Sequence, residues 1–302
     1  MNMTQLAQAI RGGLIQQDRL LKADIPSLPD NALVPRRATT YSELGRDFSV
    51  TIDVVSTASD IELKTLIAQP ITLWIQQANK SYLPINGYIH TARRLGTDGS
   101  LSSYQLAFAS WMHFLKFRND MRYWQDVSID AVITDVFNGH PQARGQFEFA
   151  LLKPLPPRSY CRQSETDWNF VHRLMEEEGL FGFWRHDKDG KSHRFVVTDD
   201  IYSLDEMSPK SVGFSRSGTS SETDAFTQWA GSRTLQSTVY TTRTFDYKAP
   251  SSLVNPKGTT LPTMAGQGNL PEQTEFYEYT GAYTYLNQDR GEHLSRIHLG
   301  KR

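Results

Sequence analysis

The sequence predicts a mainly β protein with a mixed α/β insert. Three observations predict it. Short runs of β-branched and aromatic residues recur with turn signals roughly every ten residues through the first third of the chain. Two Asp-Gly pairs each sit between patterned runs, the strongest short-range hairpin signal. Helical stripes are confined to the middle. The 302 residues allow one to three domains, and 38% hydrophobic with 22% charged residues is an ordinary folded composition. The 13 Tyr, 15 Phe and 6 Trp favour strands and extended contact surfaces over a helical bundle.

The elements follow in chain order. Thr4 to Ile10 is short and weakly amphipathic, and Gly12-Gly13 stop it. Leu20-Leu21, Ala32-Leu33-Val34 and Phe48–Val55 are strand candidates; in the last, Phe48, Val50, Ile52 and Val54 share one face. Leu63 to Gln69 reads as a brief helix ended by Pro70. Ile71–Ile75 and Tyr82–Arg93 are strands, and Asp98-Gly99 turns the chain into Ser103–Ala109. Strands this frequent argue for a sandwich or barrel.

Beyond Ser128 the period changes. Ile129, Val132, Ile133, Val136 and Phe137 fall on one helical stripe, with Ser128 as N-cap and Gly139 as stop. Phe147 to Leu152 is strand-like, and Pro154-Leu155-Pro156-Pro157 is a stiff connector. Ser164 or Thr166 caps a second helix with a buried stripe of Trp168, Val171, Leu174 and Met175, terminated by Gly179. Leu180–Trp184 and Arg194–Val197 flank Asp189-Gly190 as a second hairpin. Short strands recur at Thr238–Tyr247 and Glu275–Tyr285, separated by a long loop, Ala249–Pro271.

Reactive chemistry is sparse. Eight histidines are scattered, with His186 and His193 in a hairpin and His293 and His298 set among charged and apolar residues, so no metal ligand is assigned. Gly213-Phe214-Ser215-Arg216-Ser217 lacks the final glycine of a nucleophile elbow. Cys161, the single cysteine, reads as a small packing residue and points to a reducing compartment. Glu176-Glu177-Glu178 point about 100° apart on a helix, cannot converge, and read as a solvated face. Gly266-Gln267-Gly268 fails the dinucleotide fingerprint and reads as a loop. A net charge of -1 supplies no basic field for nucleic acid. No run of about 18 apolar residues spans a membrane, and Met1 to Leu14 carries no secretory signal. The expectation is no enzyme, with no catalytic, cofactor-binding or metal-ligating residue and no cofactor.

One stretch carries a resemblance. Tyr160-Cys161-Arg162-Gln163 leading into Asp167–Leu180, with its Arg173-Leu174-Met175-Glu176-Glu177-Glu178-Gly179 ending and the aromatic strand of Phe181, Phe183 and Trp184, resembles a signature of the VgrG proteins of type VI secretion. Asp18–Asp24, Phe48–Ser56, Ile85–Ile89, Tyr104–Phe108, Val197–Asp200 and Tyr279–Tyr283 resemble further stretches of that family. Asn169 stands where the family usually has an acid, and the Cys161-to-Asp167 spacing is one residue short. The resemblance implies a phage tail hub-like fold: two small β-barrel domains joined by a mixed α/β segment. Residues 1–16 are then an N-terminal extension, 17–117 the first hub barrel, 118–200 the mixed connector, and 201–302 the second hub barrel, incomplete within this sequence. It also implies a structural role in the secretion spike: a homotrimeric hub capping the Hcp tube, with baseplate components and effector cargo as partners. The face formed by the second barrel and the connector would line the trimer. The protein would be cytoplasmic before firing and leave through the apparatus without a signal peptide. The alternative is the baseplate hub of a phage or phage-tail-like particle.

Overall fold

Alternating side chains build the first sheet. In the computed structural model β1 (Leu21–Asp24), β2 (Val34–Tyr41), β3 (Ser49–Ser56), β4 (Pro70–Gln76), β5 (Tyr82–Asp98) and β6 (Leu101–Ala109) pair antiparallel in the order β1-β4-β5-β6-β3-β2. The described residues are 16, 19–77 and 79–204, then 206, 211–216, 225–232, 237, 239–245, 259–262, 275–282, 284–285 and 287–300. The Thr4–Ile10 segment and Gly266–Gly268 lie outside them. Phe48, Val50, Ile52 and Val54 are buried together, as a period of two requires, against Ile71, Leu73, Ile89, Leu106 and Phe108. The sheet curls until β1 and β2 touch without sharing a ladder, which makes it a half-barrel.

Two local readings shift. Asp98 pairs with Leu101, so the tight turn is Gly99-Ser100, with Gly99 at φ 59°. The helix expected over Leu63–Gln69 is a 3₁₀ turn, Leu63–Leu66, and Pro70 opens β4. Ile67 turns extended and Ala68, at φ 64°, gives its N–H to Ile89 O at 2.7 Å, so the chain leaves the helical path and joins the sheet.

The connector comprises β7 (Asn119–Asp120), β8 (Tyr123–Trp124), β9 (Val127–Ser128), α1 (Ile129–Asn138), β10 (Phe147–Ala150), β11 (Pro157–Arg158), β12 (Cys161–Arg162), β13 (Glu165–Thr166), α2 (Asp167–Glu178), β14 (Phe181–His186) and β15 (His193–Thr198). The short ladders β7–β13, β8–β12 and β9–β11 form one antiparallel ribbon in a single register. Gln163 N to Arg122 O (2.8 Å) and Asp167 N to Arg118 O (2.9 Å) bridge its interruptions in that same register. All five predicted stripe residues of α1 are buried. Ser128 is its N-cap, but its side chain makes no capping bond, because β9 pairing already fixes the backbone there. In α2, Thr166 is the cap, its Oγ1 accepting the Asn169 N–H, and Gly179 ends the helix at φ 72°. Val171, Leu174 and Met175 are buried, joined by Phe170, while Trp168 is half-buried. The hairpin β14–β15 forms, and β10 adds parallel to β15, a pairing that local patterning does not reveal.

Beyond residue 200, β16 (Gly213–Phe214) pairs parallel with β17 (Ala225–Phe226), and β18 (Val239–Phe245) lies between β19 (Thr259–Pro262) and β20 (Glu275–Ala282). β19 falls inside the expected loop Ala249–Pro271, because its pairing with β18 supplies the order that its sequence does not. A final helix, α3 (Gln288–Gly300), was not expected; Gly291 lets it approach Tyr285.

Candidate functional site

The three acids closing α2 form the densest charged cluster. The solvated face that the sequence suggested holds for Glu176, which is exposed, but not for Glu178, which is buried, with Glu177 between them. Together they draw arginines from four parts of the chain. Glu176 meets Arg46 of the β2–β3 loop at 3.1 Å. Glu177 is held by Arg158 of the ribbon at 2.6 Å and by Arg173 one helical turn back at 2.8 Å. Glu178, only 3% exposed, meets Arg158 at 2.9 Å and is also bonded by Arg290 of α3. Arg173 also grips Glu165 of β13 at 2.7 Å. The divergence that keeps these acids from sharing a substrate is what lets them tie the half-barrel loop, the ribbon and α3 to one helix end. Carboxylates at a helix C-terminus oppose the dipole, so the arginines are needed to hold them. Burial pushes the Glu177 carboxyl up, but Arg158 and Arg173 outweigh it and keep it below the usual range.

A second buried carboxylate opens the same helix. Asp167, fully buried, accepts from Gln163 Nε2 at 2.6 Å and lies 2.7 Å from His140 Nε2. Arg118 Nε stands at 3.6 Å. An acid in the first helical turn suits the dipole. These contacts fix where α2 starts against the ribbon and α1. In the sequence Gln163 and Asp167 stand only within the family signature and at the helix start, and nothing marks His140; the meeting of the three is non-local.

The remaining expected positions do not converge into catalysis. Cys161 is buried in the core beside Phe170; burial raises its thiol above the ordinary value against the pull of Arg158 and Arg173. It lines a cleft of about 220 Å³ with Arg158, Arg173, Thr242, Glu278 and Tyr285. Gly213-Phe214 is a strand and no helix follows within the described residues around it. His293 and His298 lie on α3, with His298 Nδ1 3.1 Å from Tyr240 Oη. His186 and His193 face each other across the β14–β15 ladder, and His193 is buried. Among the described residues no group of three or more His, Cys, Asp or Glu could hold a metal ion. No described helix is long and apolar enough to cross a membrane.

What the surface offers is contact area. Phe117, Met121, Tyr123 and Tyr160 stand exposed on and beside the ribbon, with the two tyrosine rings stacked at 6.4 Å. Tyr277 and Tyr279 are exposed on β20. Exposed aromatics gathered on one region mark protein contact surfaces. The charged cluster thus joins elements within the chain, and the aromatics leave apolar surface open to solvent.

Comparison with known proteins agrees. Residues 42–302 match the family described as phage tail baseplate hub (GPD). The type VI secretion system spike protein VgrG1b of Pseudomonas aeruginosa is 27% identical over 290 residues, covering 95% of this chain and 37% of that protein. The chain thus spans about two fifths of the length of such relatives. Among solved structures, the tail protein from Neisseria meningitidis MC58 matches with a TM-score of 0.57 at 14% identity, covering 93% of this chain and 75% of that one. The E. coli c3393 protein, described as a type VI secretion component similar to phage T4 tail proteins gp27 and gp5, matches with a TM-score of 0.54 at 21% identity, over 61% of this chain and 50% of that one.

Proposed function

The chain belongs to the phage tail baseplate hub (GPD) family, and from that premise we propose that it is a structural hub piece of a type VI secretion spike. The observation that carries this reading is the VgrG kinship along 95% of the chain. In this reading residues 17–117 and 201–302 are the two hub barrels and 118–200 the connector between them. Three copies ring together through the connector and second-barrel face, where Tyr123, Tyr160, Tyr277 and Tyr279 are exposed. The ring caps the Hcp tube, contacts the baseplate and passes effector cargo, waiting in the cytoplasm and leaving with the tube. The chain itself works without catalysis: its relatives are spike and hub proteins, and its buried charges join elements to one another. In a cell carrying this chain and a type VI apparatus, deleting its gene should abolish release of Hcp into the medium. Undiminished release overturns the proposal.

A second reading, the hub of a phage-tail-like particle, is favoured by the 93% coverage against the Neisseria tail protein. It predicts the opposite split: Hcp release intact and contractile particles lost.

A further inference from the structure

The two histidines that face each other across β14–β15 have ring centroids 5.9 Å apart. Both are clamped against the half-barrel. His186 Nδ1 accepts the Asn86 backbone N–H at 3.1 Å. His193 Nε2 accepts the Trp111 backbone N–H at 3.0 Å, and its Nδ1 donates to Asn86 Oδ1 at 2.7 Å. A backbone N–H only donates, so each accepting nitrogen must be bare and each imidazole neutral while the parts are docked. Asn86 Nδ2 completes the junction by donating to Thr72 Oγ1 at 3.0 Å and to Gly190 O at 2.9 Å. Phe48, Tyr88 and Trp184 wall the pair.

We propose that this junction is an acid-released latch: a proton on His186 Nδ1 or His193 Nε2 sets donor against donor and opens the seam that the β14–β15 hairpin makes with Asn86 of β5 and the Trp111 backbone, while the two apolar cores stay packed. This does not depend on the spike reading.

The groups around the pair set the direction. Asp187 beside His186 favours its proton, and Tyr41 and Glu43 line the groove at its edge. From β4 come Thr72 and Trp74, which carry no charge; the hairpin turn carries Lys188, Asp189 and Lys191. Burial nonetheless lowers His186 to about 4 and His193, with His186 beside it, to about 3. Next along β5, His90 stacks on His113 at 4.3 Å near Lys116; burial lowers both, His113 to about 4. Released histidines titrate near 6.5, so the opened form takes up protons first. The latch is at full strength above that pH and weakens as pH falls toward 4. Asp47, which accepts from Ser110 N and which burial raises to about 6, acts in the opposite sense, as one group against several.

Amide exchange of Asn86 and Trp111 in the full chain, followed by NMR from pH 7.5 to 4, tests this. Their opening constant should rise at least tenfold per pH unit below about 6, since each opening takes up at least one proton, with far-UV circular dichroism unchanged. His186→Gln together with His193→Gln should flatten that dependence. Independently of any variant, long-range ¹H–¹⁵N spectra of the unaltered chain should show His193 bare at Nε2 at pH 6. Ordinary titration of both histidines near 6.5, a pH-independent opening constant, or the same pH dependence in the double variant would overturn the latch.

Discussion

A methyl group on residue 182 would sit 2.0 Å from the Phe195 ring, inside the ladder that pairs Gly182 with Val197. Phe195 is packed by Trp111, Trp184 and Phe137 and has nowhere to go. Gly182→Ala should therefore cost about 2 kcal/mol or more by overpacking, read as a lowered urea midpoint at unchanged m. Thr166 is a smaller matter. Its hydroxyl accepts one N–H of α2, so Thr166→Ala should cost about 1 kcal/mol. Both sites are local in origin, and the cap was legible as a Thr ahead of an apolar stripe. The steric demand at Gly182 was not, because Phe195 reaches it only through strand pairing.

At the scale of elements, the end of α2 is where patterning misled. Three consecutive glutamates look solvated because helical geometry turns each to a different side. The same geometry delivers Glu176 to Arg46, Glu177 to Arg158 and Arg173, and Glu178 to Arg158 and Arg290 once the β2–β3 loop, the ribbon and α3 close around the helix. Their worth differs with burial. Glu176–Arg46 is about half exposed on both sides and contributes at most about 1 kcal/mol. Removing the charge of Glu178 takes the carboxylate from Arg290 and leaves Arg158 with Glu177 alone, so Glu178→Gln should cost about 3 kcal/mol in thermal or urea unfolding. A loss below 1 kcal/mol would mean that α3 does not lean on this contact.

At the scale of the whole molecule, two apolar cores are distinguishable among the described residues, one inside the half-barrel and one around α1 and α2, and Trp184 packs against both. Trp184→Ala should cost about 3 kcal/mol and split a single calorimetric transition into two; one sharp transition would show that other contacts couple the cores. The sequence by itself determined the parts whose signals repeat within a few residues: the Phe48–Val54 strand face, both helix stripes, and the two hairpins. It also carried the kinship, since the α2 signature is contiguous. Only the tertiary structure decided the parallel seat of β10 beside β15, the β19 strand within an apparent loop, the place of α3, and the partners of Asp167, His193 and the three glutamates. Backbone and side-chain periodicity are set by neighbours along the chain, whereas charges and buried polar groups are satisfied by whatever the fold brings near, and for His186, His193 and Glu178 a partner lies 100, 107 and 112 residues away.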